Sequence, residues 1–194
     1  PPAVDLAIVG ATVIDPRDPG LVDKYAQRFW EMRQRKGVTL AAARRQLTRS
    51  NYFGMMMLAM DEVDGLVSGL KLTYPDTLRP ALQIIKLEPG RSVASAVYVV
   101  VAHSTPYFFT DCAVNIEPSS EALAEIAEGA VEVAAEHFDR EARVAFVSYS
   151  DFGSAAGDEP KRVREAVDIF RRRRPDVPAD GEMQADTAVM DDLI

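Results

Sequence analysis

The sequence predicts an α/β protein: a three-layer α/β/α sandwich whose largely parallel sheet carries an added β-hairpin. Three observations lead there. Leu6–Ile14 (LAIVGATVI) and Arg143–Ser150 (RVAFVSYS) are nearly continuous in apolar character, as strands buried on both faces are. Segments of helical period alternate with such runs along the chain. Finally, Val93–Ala102 and Pro106–Asn115 are apolar runs joined across His103 to Pro106, the pattern of a hairpin with a short loop.

Taken in order, the first strand ends in the turn cluster Asp15 to Gly20. A helix follows over Leu21–Lys36, with Tyr25, Phe29, Trp30 and Met32 on or near one face, and Gly37 stops it. Thr39 caps a second helix to about Arg49, and a third covers Asn51–Met60. Its run Met55 to Met57 reads as pliable core packing, because thioether metal sites need accompanying Cys or His.

Asp61 to Lys86 (DEVDGLVSGLKLTYPDTLRPALQIIK) is the stretch around which the rest is organised. Gly65–Gly69 is too short and glycine-rich for a helix and reads as a strand approached closely by backbone or ligand. A helix then starts near Pro75, with Thr73 as cap, Asp76 on the positive end of the dipole, and Leu78, Leu82 and Ile85 on one face. Pro80 removes a backbone donor one turn in and is expected to displace or kink the axis, which puts Arg79 at an irregular place. Alone, Arg79 reads as a solvated surface arginine. Beside opened backbone and a helix start it reads as part of an anion site.

After the turn Glu88 to Gly90 comes the hairpin. Ser119 or Ser120 then caps a helix over Glu121–His137, and the Arg143–Ser150 strand follows. A serine- and glycine-rich loop, Ser150 to Gly157, precedes a helix over Lys161–Arg174, and Asp180–Val189 is the final strand. No repeat or low-complexity linker divides the chain, so it reads as uncut into independent domains.

The chain has 194 residues and a net charge of −8, which suits a core-forming globular protein and argues against nucleic acid as its main partner. Arg171 to Arg174 suits a helix C-terminus better than a phosphate site. No apolar run approaches the roughly 20 residues of a membrane helix, so no membrane partner is expected. The Pro1-Pro2 start reads as a cut from something longer, and the single cysteine, Cys112, fits a reducing cytoplasm.

The loop after Ser150 is the strongest local signal, since free backbone donors, the Ser150 and Ser154 hydroxyls and a helix start suit a phosphate or carboxylate. Spacing leaves a merely structural loop equally open. It is not a Walker A loop and no GxGxxG occurs, so nucleoside-triphosphate and dinucleotide readings fall away. His103 and His137 read as surface histidines and Cys112 as a buried inert thiol, with no metal site and no serine triad.

The segments DGLVSG with YPDTLRPALQIIK, FFTDCAVNIEP, RVAFVSYSDFGS and DGEMQADTA, in this order, resemble the phosphate acetyltransferase/butyryltransferase family over nearly the whole chain. DGEMQADTA in particular is similar to the domain fused behind the catalytic part of bacterial NADP-dependent malic enzymes. The resemblance implies a cytoplasmic protein with the phosphotransacetylase-like fold, related to isocitrate/isopropylmalate dehydrogenases, in which two subdomains flank a cleft for coenzyme A or its acetyl thioester. Carried over residue by residue, Arg33 (in EMRQRKG) and Arg79 (in TLRPAL) match its positive positions; Asp111, Asn115, Ser150, Gly153, Ser154, Gln184 and Asp186 match its walls. The family's acyl-transfer serine, arginine and aspartate belong to a segment beyond Ile194, so the chain is expected to lack the N- and C-terminal parts of the full domain and not to turn over by itself.

Two readings follow. In the first, the chain is part of a regulatory module that senses acetyl-CoA for a malic enzyme, with NADP and a divalent metal bound elsewhere in that parent and the malic-enzyme catalytic domain as a partner in the same polypeptide. In the alternative, it is part of a phosphate acetyltransferase that moves acetyl between CoA and phosphate. Self-association as a dimer or larger is expected from the edge offered by Val93–Asn115.

Overall fold

The computed structural model describes residues 10–190. Within the stretch that the sequence reads as uncut, the chain forms two compact units divided between Lys86 and Leu87.

The first unit is helical. Its helices are α1 (Pro19–Arg33), α2 (Leu40–Leu47), α3 (Ser50–Ala59) and α4 (Tyr74–Ile84), with a 3-10 turn over Gln34–Lys36. The caps fall where side-chain chemistry puts them. Asp18 accepts from the Leu21 N–H, Thr39 from Ala42 and Thr73 from Asp76, while Gly37 takes the left-handed conformation (φ 82°) that ends the 3-10 turn. Tyr25 and Phe29 of α1, Leu47 of α2, Phe53 and Met56 of α3 and Ile84 of α4 form one core, with Met55 and Met57 packed at its side.

One expectation is tested only in part here, and a second fails. Of the expected first strand, residues 6–9 lie outside the described residues and 10–14 are irregular. Gly65–Gly69 is not a strand: Val67 and Leu70 are fully exposed, and among the described residues no neighbouring strand takes up its backbone. The close approach is at Gly54 instead, where a Cβ would lie 2.9 Å from Leu66 Cδ1.

Pro80 does not interrupt α4, and the reason is specific. A residue with an N–H at position 80 would donate to the Asp76 carbonyl one turn back, and proline cannot. The buried Asn51 of α3 replaces that donor, with its Nδ2 3.2 Å from Asp76 O, while its Oδ1 accepts from the Ser68 hydroxyl. One side chain therefore joins α3, α4 and the irregular segment between them.

The second unit holds β1 (Val97–Ala102), β2 (Thr105–Thr110), α5 (Ser120–Phe138), β3 (Val144–Val147), α6 (Asp158–Arg173) and β4 (Ala179–Met183). β1 and β2 pair antiparallel from Val97↔Thr110 to Ala102↔Thr105, so the expected hairpin forms with a tighter turn than its apolar runs imply. His103 and Ser104, both at positive φ (47° and 68°), make the two-residue turn whose twist matches paired strands. β3 and β4 pair in parallel through the α6 crossover, a βαβ unit. Gly181 is required there, because a Cβ would stand 2.5 Å from the Phe146 carbonyl oxygen.

Phe146, Phe170 and Val167 pack against Ala124, Ala127 and Val131 of α5. The described strands thus form two sheets of two within a mixed α/β fold. The expected final strand stops at Met183, since the chain then turns back and the Asp186 carbonyl accepts from Val189 and Met190. Cys112 is exposed rather than buried, because β2 ends at Thr110 and Asp111 leaves the strand at φ 57°.

The Asn51 contact yields a thermodynamic cycle. Asn51→Ala should cost about 1–3 kcal/mol of stability by leaving a buried carbonyl unpaired. In a Pro80→Ala background the new N–H can take that carbonyl, so the same substitution should cost about 1 kcal/mol less. Urea unfolding of the four proteins measures the difference, and equal costs in both backgrounds contradict the assignment.

Candidate functional site: a cationic depression and a carboxylate-filled loop

In the first unit, the start of α3 and the first turns of α4 enclose a depression of about 500 Å³ lined by Arg49, Ser50, Asn51, Tyr52, Leu72, Asp76, Arg79 and Pro80. A second, of about 400 Å³, is lined by Arg33, Pro75, Leu78, Arg79, Leu82 and Gln83. Arg79 stands on both. Arg33 and Arg79, named from the sequence, are thus brought together by the last turn of α1 and the middle of α4.

Among the described residues no ion pair or side-chain hydrogen bond engages Arg33, Arg49 or Arg79, and the Arg33 Nε is buried without a partner. Their fields meet at Tyr52, whose hydroxyl donates to Gln83 Oε1 at 3.0 Å. Burial raises the Tyr52 phenol, and the charges of Arg79, Arg49 and Arg33 oppose that rise. Asp76 is the acidic group of the wall, and its carboxylate accepts from the Thr73 hydroxyl at 2.6 Å. Arg49 and Arg79 are exposed and Arg33 is half-buried, and unpaired guanidiniums over a concave surface are chemically suited to a negative group.

The second unit gathers Ser150, Gly153, Ser154 and Gln184, but around carboxylates of its own. Glu182, fully buried, accepts from the Ser150 hydroxyl at 2.9 Å, the Gly153 N–H at 2.8 Å and Arg164 Nη1 at 2.8 Å. Ser150 is buried as well, and its oxygen also accepts from the Ala155 N–H at 3.0 Å. Ser154 accepts from the Asp151 N–H at 3.0 Å. Gln184 donates to Asp151 through its N–H and its side chain, at 2.7 and 2.9 Å. The loop has the donors the sequence expects, and an anion already holds two of them. Glu182 is the residue that reasoning from spacing missed, since its partners lie 18 to 32 positions away.

Asp111 and Asn115 form a separate pair, Asn115 Nδ2 donating to Asp111 Oδ1 at 2.9 Å and to the Ala94 carbonyl at 3.0 Å. Asp186 is exposed and accepts from the Thr187 N–H. Among the described residues there is no group of three or more His, Cys, Asp or Glu that could hold a metal ion. Among the described residues, no helix is long and apolar enough to cross a membrane. Arg171 closes α6 by pairing with Asp180 and the Ala179 carbonyl, a helix-terminus role.

Burial pushes the Glu182 carboxyl up, but the bonds from Gly153, Ser150 and Arg164 outweigh it and hold it below the usual carboxylate range. With a folded value below the unfolded one, the stabilisation is present above about pH 4.3 and fades as pH falls through the folded value. Glu182→Gln should therefore cost about 1–3 kcal/mol at neutral pH, with the gap to wild type closing on acidification. Denaturation midpoints measured from pH 7 down to pH 3 check this, and a gap independent of pH contradicts it.

The family model described as phosphate acetyl/butaryl transferase matches residues 2–194. The chain is 42% identical over 186 residues to a phosphate acetyltransferase of Synechocystis sp., covering 96% of this chain and 26% of that protein. It is 38% identical over 192 residues to that of Clostridium acetobutylicum, covering 96% and 58%. A phosphotransacetylase structure from Streptococcus pyogenes superposes with a TM-score of 0.81 at 40% identity, covering 93% of this chain and 55% of that one. The chain thus spans about a quarter of the longer relative and less than two thirds of the shorter ones. On the family match over residues 2–194 and these identities, the chain belongs to the phosphate acetyl/butaryl transferase family.

Proposed function

We propose that this chain is the phosphate- and coenzyme A-binding part of a phosphate acetyltransferase, the alternative of the two readings drawn from the sequence. The observation that carries it is the pair of unpaired arginines, Arg33 and Arg79, on one depression of the first unit. The relatives compared bear the name phosphate acetyltransferase, which supports the transferase over an acetyl-CoA-sensing piece of a malic enzyme. The NADP, divalent metal and malic-enzyme partner domain of that first reading therefore have no support.

In the proposed reaction an oxygen of hydrogen phosphate attacks the thioester carbonyl carbon, the C–S bond breaks, and the phosphate's hydroxyl proton passes to the departing thiolate, so that the products are acetyl phosphate and the free thiol of coenzyme A. No nucleophile of the protein is required. What the reaction needs from the protein is a doubly charged phosphate held in place and partly neutralised, and guanidinium forks supply both. Ser150, Gly153, Asp151 and Gln184 serve as framework in this account, because their polar groups already answer one another.

Arg79→Ala should weaken binding of coenzyme A or phosphate by roughly ten- to a hundredfold, the equivalent of about 1.5–3 kcal/mol for a charge-assisted hydrogen bond. Arg79→Lys should recover only part of the loss, since a point charge does not replace a planar fork. Isothermal titration at fixed ionic strength measures both. Unchanged affinity in Arg79→Ala would make Arg79 a solvated surface residue.

A further inference from the structure

We infer that Arg49, which neither the sequence motifs nor the family resemblance singles out, is a specificity-determining binding residue: it makes the depression at the start of α3 a second anion subsite, for a second phosphate group on the same ligand. The inference rests on the anion site proposed at Arg33 and Arg79. Its own basis is the arrangement of the two depressions. Arg79 stands on the wall of both, Arg33 lines only one and Arg49 only the other. An anion held between Arg33 and Arg79 leaves Arg49 facing the larger space with no partner among the described residues.

The surroundings of Arg49 fit that use. It occupies the N-cap position of α3, where serine, threonine, asparagine or aspartate would satisfy the first N–H groups, and its side chain makes no capping bond. A ten-residue helix thus begins at this depression beside a guanidinium rather than a carboxylate or hydroxyl cap. Asn51 makes no hydrogen bond to the guanidinium, its oxygen accepting from Ser68 and its amide donating to Asp76 O. Asp76 is the one acidic side chain on the wall, and it is held by the Thr73 hydroxyl rather than by either arginine. The two arginines outnumber that carboxylate, so the subsite favours a negative group and selects against one bulky enough to press on Asp76.

Orthophosphate and inorganic diphosphate distinguish one anionic group from two linked ones. Titrated into the 194-residue chain at fixed ionic strength and without divalent metal, diphosphate should bind more tightly than orthophosphate. Arg49→Ala should lose about tenfold in diphosphate affinity and less than about twofold in orthophosphate affinity. Arg79→Ala should weaken both, and Arg49→Lys should retain part of the diphosphate affinity. Asp76→Asn should tighten diphosphate binding. An unchanged unfolding midpoint for Arg49→Ala shows that the variant is folded, as expected for a side chain that makes no capping bond. If Arg49→Ala binds both ions like wild type, or loses both by the same factor, the second subsite does not exist while the Arg33–Arg79 site stands. If wild type binds neither ion, the anion site itself fails and this inference with it.

Discussion

The hydrogen bond from Asn51 to the Asp76 carbonyl is the contact on which the first unit's geometry depends. Proline at position 80 frees that carbonyl, and a buried carbonyl without a donor is costly enough to demand a replacement. The replacement comes from another helix. Because the donor is the second residue of α3 and the acceptor lies in the first turn of α4, the bond sets Arg49 and Arg79 on the walls of one depression. Proline here trades a bond within one helix for a bond between two, and the packed core of Tyr25, Phe29, Phe53 and Met56 beneath them keeps that geometry.

The two units answer the same physical question in opposite ways. In the second, a loop of serine and glycine donors surrounds a carboxylate of the chain, and Glu182 is held ionised in spite of burial. The loop therefore folds into one shape without a ligand, at the cost of donors that a ligand could have used. In the first unit, positive groups are left without negative partners while a core holds their helices in place. Unpaired cations on a rigid support suit a binding surface, and the paired donors of the second unit suit a scaffold, although the Glu182 Oε2 is buried without a hydrogen-bond partner.

What was legible in the sequence is what depends on neighbours along the chain. Thr39, Thr73 and Ser119 cap the helices that follow them because a cap is decided within three or four residues. The hairpin and the βαβ unit follow from apolar runs and their separation. Gly65–Gly69 misled because glycines and short apolar residues suit an irregular connection as well as a strand, and only the packing of Leu66 on Gly54 and of Ser68 on Asn51 decides between them. Glu182 was hidden in a motif that reads as a strand, with its three donors on a distant loop and helix. Arg33 was reached through the family resemblance and Arg79 both through it and through its place beside Pro80 and a helix start, whereas Arg49 precedes its helix in a place where nothing local marks an arginine as functional.

The central claim is that an anionic ligand is held by the arginines of the first unit and not by the Ser150 loop. Amide chemical-shift mapping during titration with coenzyme A locates the ligand without relying on turnover. The account predicts that the largest shifts fall on Ser50 to Phe53 and on Asp76 to Gln83. Shifts centred on Asp151 to Ala155, with the α3 and α4 signals unmoved, would contradict it.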